Sequence, residues 1–410
     1  MTYLCAMKIV IIGGGAAGFM SAITAARVNP SAQITILEKS AHLLSKVRIS
    51  GGGRCNITHR DLPHREFATH YPRGEKQIPG LLHHFSPADT IDWFRQLGLQ
   101  TKTETDGRIF PVSDNSASVI ECLLNEAKKR NIRIETNAGV DSISVTERQT
   151  FHLKNRQGNV DADRLIIACG GFPKRHQYLW LNELGHQIID PVPSLFTFNL
   201  PKHKLNALPG IAVSQATVRI PGAKLKVTGP VLITHWGLSG PAILKSSAMA
   251  AIYFHAQEYR VNFSVNWMGE INGEDIYTFL KEIKDHQPTK ACNKSPFESI
   301  ASRLWQYFLA ESGIDDSANW QHVSFKQIRH LSELLTNNEF RTDGVTRFKE
   351  EFVTAGGIDL KEIDLRTMAS RVHPGLFFAG EIINIDGVTG GFNFQNAWTT
   401  GYIAGTNAAY

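Results

Sequence analysis

The apolar positions of this 410-residue chain follow two patterns: short continuous runs that end in glycine, and longer stretches with helical or alternating spacing. Lys8-Ile9-Val10-Ile11-Ile12 is a continuous run that breaks into Gly13-Gly14-Gly15-Ala16-Ala17-Gly18. A helix over about Ala16 to Val28 follows, then a second run, Ile34-Thr35-Ile36-Leu37, closed by Glu38. Leu165-Ile166-Ile167-Ala168 repeats the arrangement and ends in Cys169-Gly170-Gly171. Such runs read as strands buried on both faces of a parallel sheet. Helical spacing predicts helices over Pro87 to Leu97 and Asn115 to Arg130, followed by the strand Ile132-Arg133-Ile134-Glu135 and an alternating, hairpin-like stretch to about Val160.

After Pro191 and Pro193 the pattern changes. Phe196 to Val231 alternates and is rich in β-branched residues, Gly and Pro, which predicts short antiparallel strands. Gly237-Leu238-Ser239-Gly240-Pro241 opens a helix, with Ser239 as its cap and Pro241 in its first turn. Gly273 to about Arg347 carries amphipathic helical spacing with Trp305, Phe308 and Leu309 in the core. Sheet-like sequence returns at Leu376-Phe377-Phe378-Ala379-Gly380-Glu381, and a glycine-rich loop leads to a final helix over about Gln395 to Ala409. The expected organisation is an α/β, Rossmann-like nucleotide domain split in sequence, residues 1–193 and 348–410, whose opening and closing strands share one sheet. A β-rich and helical insertion, 194–347, separates the two pieces.

The first glycine turn has the chemistry of a dinucleotide site. Gly13 permits a sharp turn out of the strand, Gly15 lets backbone approach a pyrophosphate, and Gly18 lets the helix pack on the sheet. Ala16 and Ala17 open that helix, whose free N–H groups would face the phosphates. Glu38, about 20 residues on, would take the ribose hydroxyls and repel a 2′-phosphate. An unphosphorylated adenosine, as in FAD or NAD, follows. Further along, Arg48-Ile49-Ser50-Gly51-Gly52-Gly53-Arg54-Cys55-Asn56 sets consecutive glycines between arginines, a loop suited to backbone contact with an anion and unsuited to regular structure.

The formal charge of +5 and the mixing of Lys and Arg with acids argue against a nucleic-acid footprint. Five widely spaced cysteines without a CxxC pair argue against a disulfide framework and a zinc site, and the apolar runs are too short to span a bilayer. The glycine turn follows the opening strand too closely for a signal peptide, so a cytoplasmic protein is expected. Met1 to Ala6 precede a second methionine, Met7, and are expected to be a disordered extension.

Phe377-Phe378-Ala379-Gly380-Glu381 followed by Asp386-Gly387 resembles the second fingerprint of FAD proteins of the glutathione-reductase type, and Ala168-Cys169-Gly170 resembles their Ala-Thr-Gly signature. Four further blocks narrow the resemblance: Ser50 to Asn56, Gly107-Arg108-Ile109-Phe110-Pro111, Thr234-His235-Trp236-Gly237-Leu238-Ser239-Gly240-Pro241, and Asp386-Gly387-Val388-Thr389-Gly390-Gly391-Phe392-Asn393-Phe394-Gln395. Together they are similar to the bacterial YhiN-type flavoprotein family, over essentially the whole chain. Ser45-Lys46 and Asn384 depart from the family's usual residues.

The resemblance implies an FAD-binding domain of glutathione-reductase type with a β-barrel-like and helical insertion. It implies cofactor contacts at the fingerprint glycines, Glu38 and Lys39, at Lys46, Arg48, Gly51, Gly52, Gly53, Arg54 and Asn56, and at Val140 and Gly170. In the closing segment it implies Gly380, Glu381, Asp386, Gly391, Phe392 and Asn393, with Asp386 on the ribityl phosphate side and Asn393 a donor to the ring's edge. Either arginine of the glycine loop could instead be a surface residue.

FAD supplies redox chemistry, so a hydride passed between flavin and a small organic substrate, in some relatives a conjugated enone, is the expected activity. No second GxGxxG follows a strand, so NAD(P)H would bind transiently. His235 is the candidate proton donor, or else a structural histidine at the helix turn. Cys55 and Cys169 read as packed residues, and His59, His83 and His84 as surface. The rival readings are a flavin-containing RNA-modifying protein, or a redox sensor that binds flavin without turnover.

Overall fold

The computed structural model describes residues 6–344 and 353–410. The head Met1–Cys5 and the expected junction of insertion and closing piece at Arg347 lie outside the described residues. The described chain divides into two compact units, one of residues 6–193 with 353–410 and one of residues 194–344.

The first unit is built on a parallel sheet. Strand β1 (Lys8–Ile12) leads through Gly13 into helix α1 (Ala16–Val28), then β2 (Gln33–Leu37), helix α2 (Ser116–Lys129), β3 (Arg133–Glu135), β4 (Arg164–Ile167) and, far along the chain, β5 (Leu376–Phe378) and helix α3 (Phe392–Ala408). The sheet order is β5-β4-β1-β2-β3, all parallel, extended beyond β5 by two short antiparallel strands, Ala369–Ser370 and Ile363–Asp364. The opening and closing strands thus share one sheet, with β4 pairing Val10 to Leu165 on one side and Leu376 to Leu165 on the other. Ile9, Ile11, Leu165, Ile166 and Ile167 are fully buried, as strands covered on both faces require.

Helix α1 lies against α3, and the approach depends on two glycines of α3. A Cβ on Gly401 would stand 2.7 Å from the Ala17 carbonyl oxygen, and one on Gly405 would overlap that of Ser21. The small residues of α1 are buried along almost its whole length, which explains why it has no polar face. Beside the sheet stand a meander, Val140–Val145, Phe151–Asn155 and Gly158–Ala162, and a small sheet of Thr58–His59, Arg108–Pro111 and Thr101–Thr103.

The second unit has one six-stranded antiparallel sheet, ordered Phe198–Asn199, Gly237–Ser239, Leu225–Thr234, Ala212–Ile220, Asn262–Asn266, Asn338–Arg341. Helices Pro241–Met249, Gly273–His286, Ser302–Glu311 and Phe325–Thr336 belong to the same unit. Trp305, Phe308 and Leu309 are fully buried there.

Several local expectations are corrected. Helical spacing from Gly273 does not persist to Arg347, because Asn338–Arg341 pairs with Asn262–Asn266 and buries Asn338 and Phe340 with period two. Ser239 does not cap the helix at Pro241: it lies in a strand, and Gly240, at φ +94, precedes the helix instead. The glycine loop is helical from Ser45 and leaves that conformation only at Ser50, so Arg48 stands on a helical turn. The last helix starts at Phe392, three positions before Gln395 (395 − 392 = 3), because Gly391 at φ +95 is already its N-cap.

Candidate active site: a dinucleotide cradle

The cradle is assembled at the carboxyl ends of β1, β2 and β4. Gly13 turns out of β1 at φ +113, where a Cβ would collide with the Ala168 carbonyl, and its N–H donates to the Leu37 carbonyl at 2.8 Å. Gly18 presses α1 onto the strand, since a Cβ there would overlap the Gly13 carbonyl oxygen. Gly15, the N-cap of α1, is different: a Cβ on it would meet no atom within 4 Å. The first-turn amides of α1, with Ala16 and Ala17, therefore begin at open space, which is what a pyrophosphate needs.

Glu38 ends β2 with its carboxylate fixed by local backbone. One oxygen accepts from Gly14 N–H at 2.8 Å and the other from Ser40 N–H at 2.9 Å, leaving further lone pairs for a ligand hydroxyl. A cavity of about 220 Å³ adjoins it, lined among others by Gly13, Lys39, Val140, Cys169 and Trp180. The Lys39 ammonium lies over the Phe172 ring, 5.2 Å from its centre. Gly170, at φ +76, also has open space where a Cβ would stand. An adenosine diphosphate moiety fits this set of groups: an unblocked helix start, a fixed carboxylate and an apolar cavity.

Lys46 pairs with Glu381 at 2.5 Å, and Glu381 also accepts from Thr354 N–H at 2.8 Å. Glu381 is thus the acid at the carboxyl end of β5, just after Gly380, whose N–H donates to Thr400 Oγ1 at 2.8 Å. In the glycine loop Gly51, Gly52 and Gly53 all have positive φ, and Gly52 and Gly53 face open space. Arg48 is exposed, while its carbonyl accepts from Ser116 Oγ at 2.8 Å. Arg54 turns to its own neighbours: it pairs with Glu104 at 2.6 Å and Asp114 at 3.5 Å and lies 4.0 Å from the Phe110 ring centre. The hydrogen bond to Glu104 holds its pKa above the ordinary guanidinium value. Asn56 is buried. With its amide nitrogen toward the Thr58 and Ile109 carbonyls at 2.8 and 3.2 Å, its oxygen accepts from Gly391 N–H at 3.0 Å.

The closing segment is drawn inward. Asp386 is fully buried, and its carboxylate takes a two-pronged contact from Arg73, with Nε at 2.6 Å. Asn393 accepts from Gly387 N–H at 2.9 Å and donates to the Gly387 carbonyl at 2.7 Å. Phe392 packs against both His70 and His59, with ring centres 4.3 and 5.0 Å away, and the two imidazoles lie 6.1 Å from each other. His59, read as a surface residue, is therefore corrected to a buried one, and burial lowers its pKa. Burial also pushes the thiols of Cys55 and Cys169 up to about 12, so neither supplies a thiolate near neutral pH.

His235 belongs to the other unit, where it stands exposed at a hairpin tip between Leu225–Thr234 and Gly237–Ser239. It does not sit at the helix turn that follows. Sequence reasoning missed Tyr71 and Arg73, because nothing in His70-Tyr71-Pro72-Arg73 marks a pairing with residues more than 300 positions away (386 − 73 = 313).

A family model described as the HI0933-like protein Rossmann domain matches residues 7–407. The chain belongs to this family. The YhiN-type resemblance read from the four sequence blocks is thereby borne out. Among curated proteins, this HI0933-like chain is 29% identical to a 3-dehydro-bile acid delta(4,6)-reductase of Clostridium scindens, covering 98% of this chain and 99% of the relative. It is 27% identical to a ribosomal RNA dihydrouridine synthase of Escherichia coli, covering 96% of each. Among solved structures, a 3-ketosteroid-delta4-(5alpha)-dehydrogenase from Rhodococcus jostii, in complex with 4-androstene-3,17-dione, aligns with a TM-score of 0.53 at 14% identity. It covers 100% of this chain and 98% of that one, a likeness of fold. No helix among the described residues is long and apolar enough to cross a membrane.

Proposed function

We propose that this HI0933-like protein is an FAD-dependent oxidoreductase that reduces a carbon–carbon double bond conjugated to a carbonyl in a small organic substrate, with NAD(P)H as a transient donor. The observation that carries the cofactor is the open start of α1, where Gly15 leaves unfilled space beside the fixed Glu38 carboxylate. The first-turn amides of α1 would hold the pyrophosphate, Glu38 the ribose, and the cavity walled by Lys39 and Val140 the adenine side. The amides at the start of α3 would face the pyrimidine end of the flavin. When bound, FAD supplies hydride transfer.

The activities named for the relatives favour the substrate class. A bile acid delta(4,6)-reductase and a dihydrouridine synthase both saturate a double bond in conjugation with a carbonyl. His235, on its exposed hairpin tip, is the candidate proton donor to such a substrate. Free cysteines among the described residues suit a reducing, cytoplasmic setting.

The decisive experiment is anaerobic titration of the purified protein with NADH and NADPH while flavin bleaching is followed, then reoxidation by a 3-oxo-4,6-diene steroid acid. Bleaching and stoichiometric reoxidation are expected. A protein that carries FAD yet is bleached by neither nucleotide would point to the redox-sensor reading. A second reading, reduction of uridine in RNA, is favoured by the ribosomal RNA relative at 96% coverage. It requires that ribosomal RNA from cells lacking this protein lose a dihydrouridine, measured by mass spectrometry, and that enones fail to reoxidise the flavin.

A further inference from the structure

The Asp386-Gly387 turn and the start of α3 are bolted to a short segment of the same unit, His70 to Arg73. Val388 N–H donates to the His70 carbonyl at 2.8 Å, and Asp386 N–H to the Arg73 carbonyl at 3.3 Å. The Tyr71 phenol, fully buried, donates to the Phe392 carbonyl at 2.7 Å. Gly387 has no room for a side chain, since a Cβ would stand 2.7 Å from Phe392 Cβ and 3.3 Å from the Tyr71 ring. Between turn and helix, the Asn393 amide closes its paired bonds with Gly387, and Asn56 accepts from Gly391 N–H. At the centre of this clasp lies the Arg73–Asp386 pair, with Asp386 at 0% and Arg73 at 14% side-chain exposure.

A buried pair of opposite charges is a costly way to fasten two segments when apolar contacts would do, and removing one partner leaves an uncompensated charge. Its position matters because it adjoins the positive end of α3, where local charge adds directly to the helix field. A net-neutral pair leaves that field as the helix sets it, and its geometry fixes where the helix starts.

We propose that Arg73 and Asp386 are positioning residues for the flavin: together they set the aim of the first-turn amides of α3 and keep the charge beside them balanced. This proposal rests on the reading that the flavin's pyrimidine end meets the start of α3. Asp386 then acts on the cofactor through Arg73, and Tyr71 and Asn393 hold the same helix start without charge. A group that gains negative charge on reduction feels any imbalance of the pair as a change in midpoint potential.

The test compares wild type, Asp386→Asn, Arg73→Gln and the double variant as flavin-loaded proteins at about pH 8, by spectroelectrochemistry and by the rate of flavin release on dilution. Asp386→Asn leaves the guanidinium unbalanced and should raise the midpoint potential. Arg73→Gln leaves the carboxylate unbalanced and should lower it. The double variant should return toward the wild-type potential. Tyr71→Phe, a neutral change, should quicken flavin release several-fold with the potential unchanged.

Single variants that shift the potential in the same direction, or not at all, would overturn the proposal while leaving the cofactor reading intact. A wild-type protein that binds no flavin would overturn the cofactor reading and the proposal with it. Should the charge-removing variants fail to fold, Arg73→Lys and Tyr71→Phe decide: faster flavin release from both supports the clasp, and unchanged release overturns it.

Discussion

At the start of α1 a Cβ on Gly15 would meet no atom within 4 Å, whereas at the start of α3 a Cβ on Gly391 would overlap the backbone of Thr58. Both helices begin at a glycine N-cap without a side-chain cap bond. The first start is shaped by residues close in sequence, Gly13 to Gly18 and the end of the next strand, and it is left open. The second is enclosed by Asn56, Tyr71, Arg73 and Asp386, brought from across the unit. An open start serves as a cradle by what it omits. An enclosed one must be built by partners that fix its direction, so its sensitivity to mutation is spread over many residues.

The contrast can be broken most severely at Gly15. Its φ of −93 suits any L-residue and its surroundings are empty, so Gly15→Val should fold normally yet lose FAD entirely, by absorbance of the purified protein beside an unchanged melting curve. Gly391→Ala should do the reverse. Strain at φ +95 and overlap with Thr58 should destabilise the fold by roughly 3 kcal/mol or more, read by denaturant unfolding, with flavin lost only as a consequence. Normal stability of Gly391→Ala would show that the second start is as open as the first.

Smaller changes sharpen the comparison. Glu38→Ala should weaken FAD binding by on the order of 1.5–3 kcal/mol in equilibrium titration, as charge-assisted bonds are lost. Asn393→Leu strands the N–H and carbonyl of Gly387 and should cost about 1–2 kcal/mol of stability, again by denaturant unfolding. The smallest effect is a pH dependence confined to the enclosed side. Burial holds the His59 imidazole below its ordinary pKa of 6.5, so the unfolded chain binds its proton more readily than the folded one. That contribution is present above about pH 6.5 and fades as pH falls. His59→Gln should therefore flatten the drop in melting temperature between about pH 7.5 and 5.5, and an unaltered drop would exclude His59 as its source.

The same contrast governs what could be read from sequence. Gly13, Gly15, Gly18 and Glu38 act through turn geometry and close approach within a few dozen residues, and spacing alone encodes those. Continuous apolar runs likewise disclosed β1, β2 and β4, because full burial leaves no polar face to disguise them. The internal partners of Asp386 and Asn393 could not be read, since an acid and an amide beside glycines give no sign of them. The buried partner of Asp386, Arg73, resembles any surface arginine until the fold closes over it. The strand Asn338–Arg341 was masked for a related reason: its sheet partner decided its conformation, and local helical spacing pointed the other way.

The close crossing of Gly401 and Gly405 of α3 over Ala17 and Ser21 of α1 has a consequence for biosynthesis. The cradle's first strand and helix leave the ribosome well before α3, whose surface covers α1. Until then the apolar flank of α1 must remain unprotected or sheltered by a chaperone, and contacts of such sequence separation form slowly. Chains stalled before residue 392 should therefore be held by chaperones or degraded, and maturation should be paced by synthesis of α3 as much as by supply of cofactor.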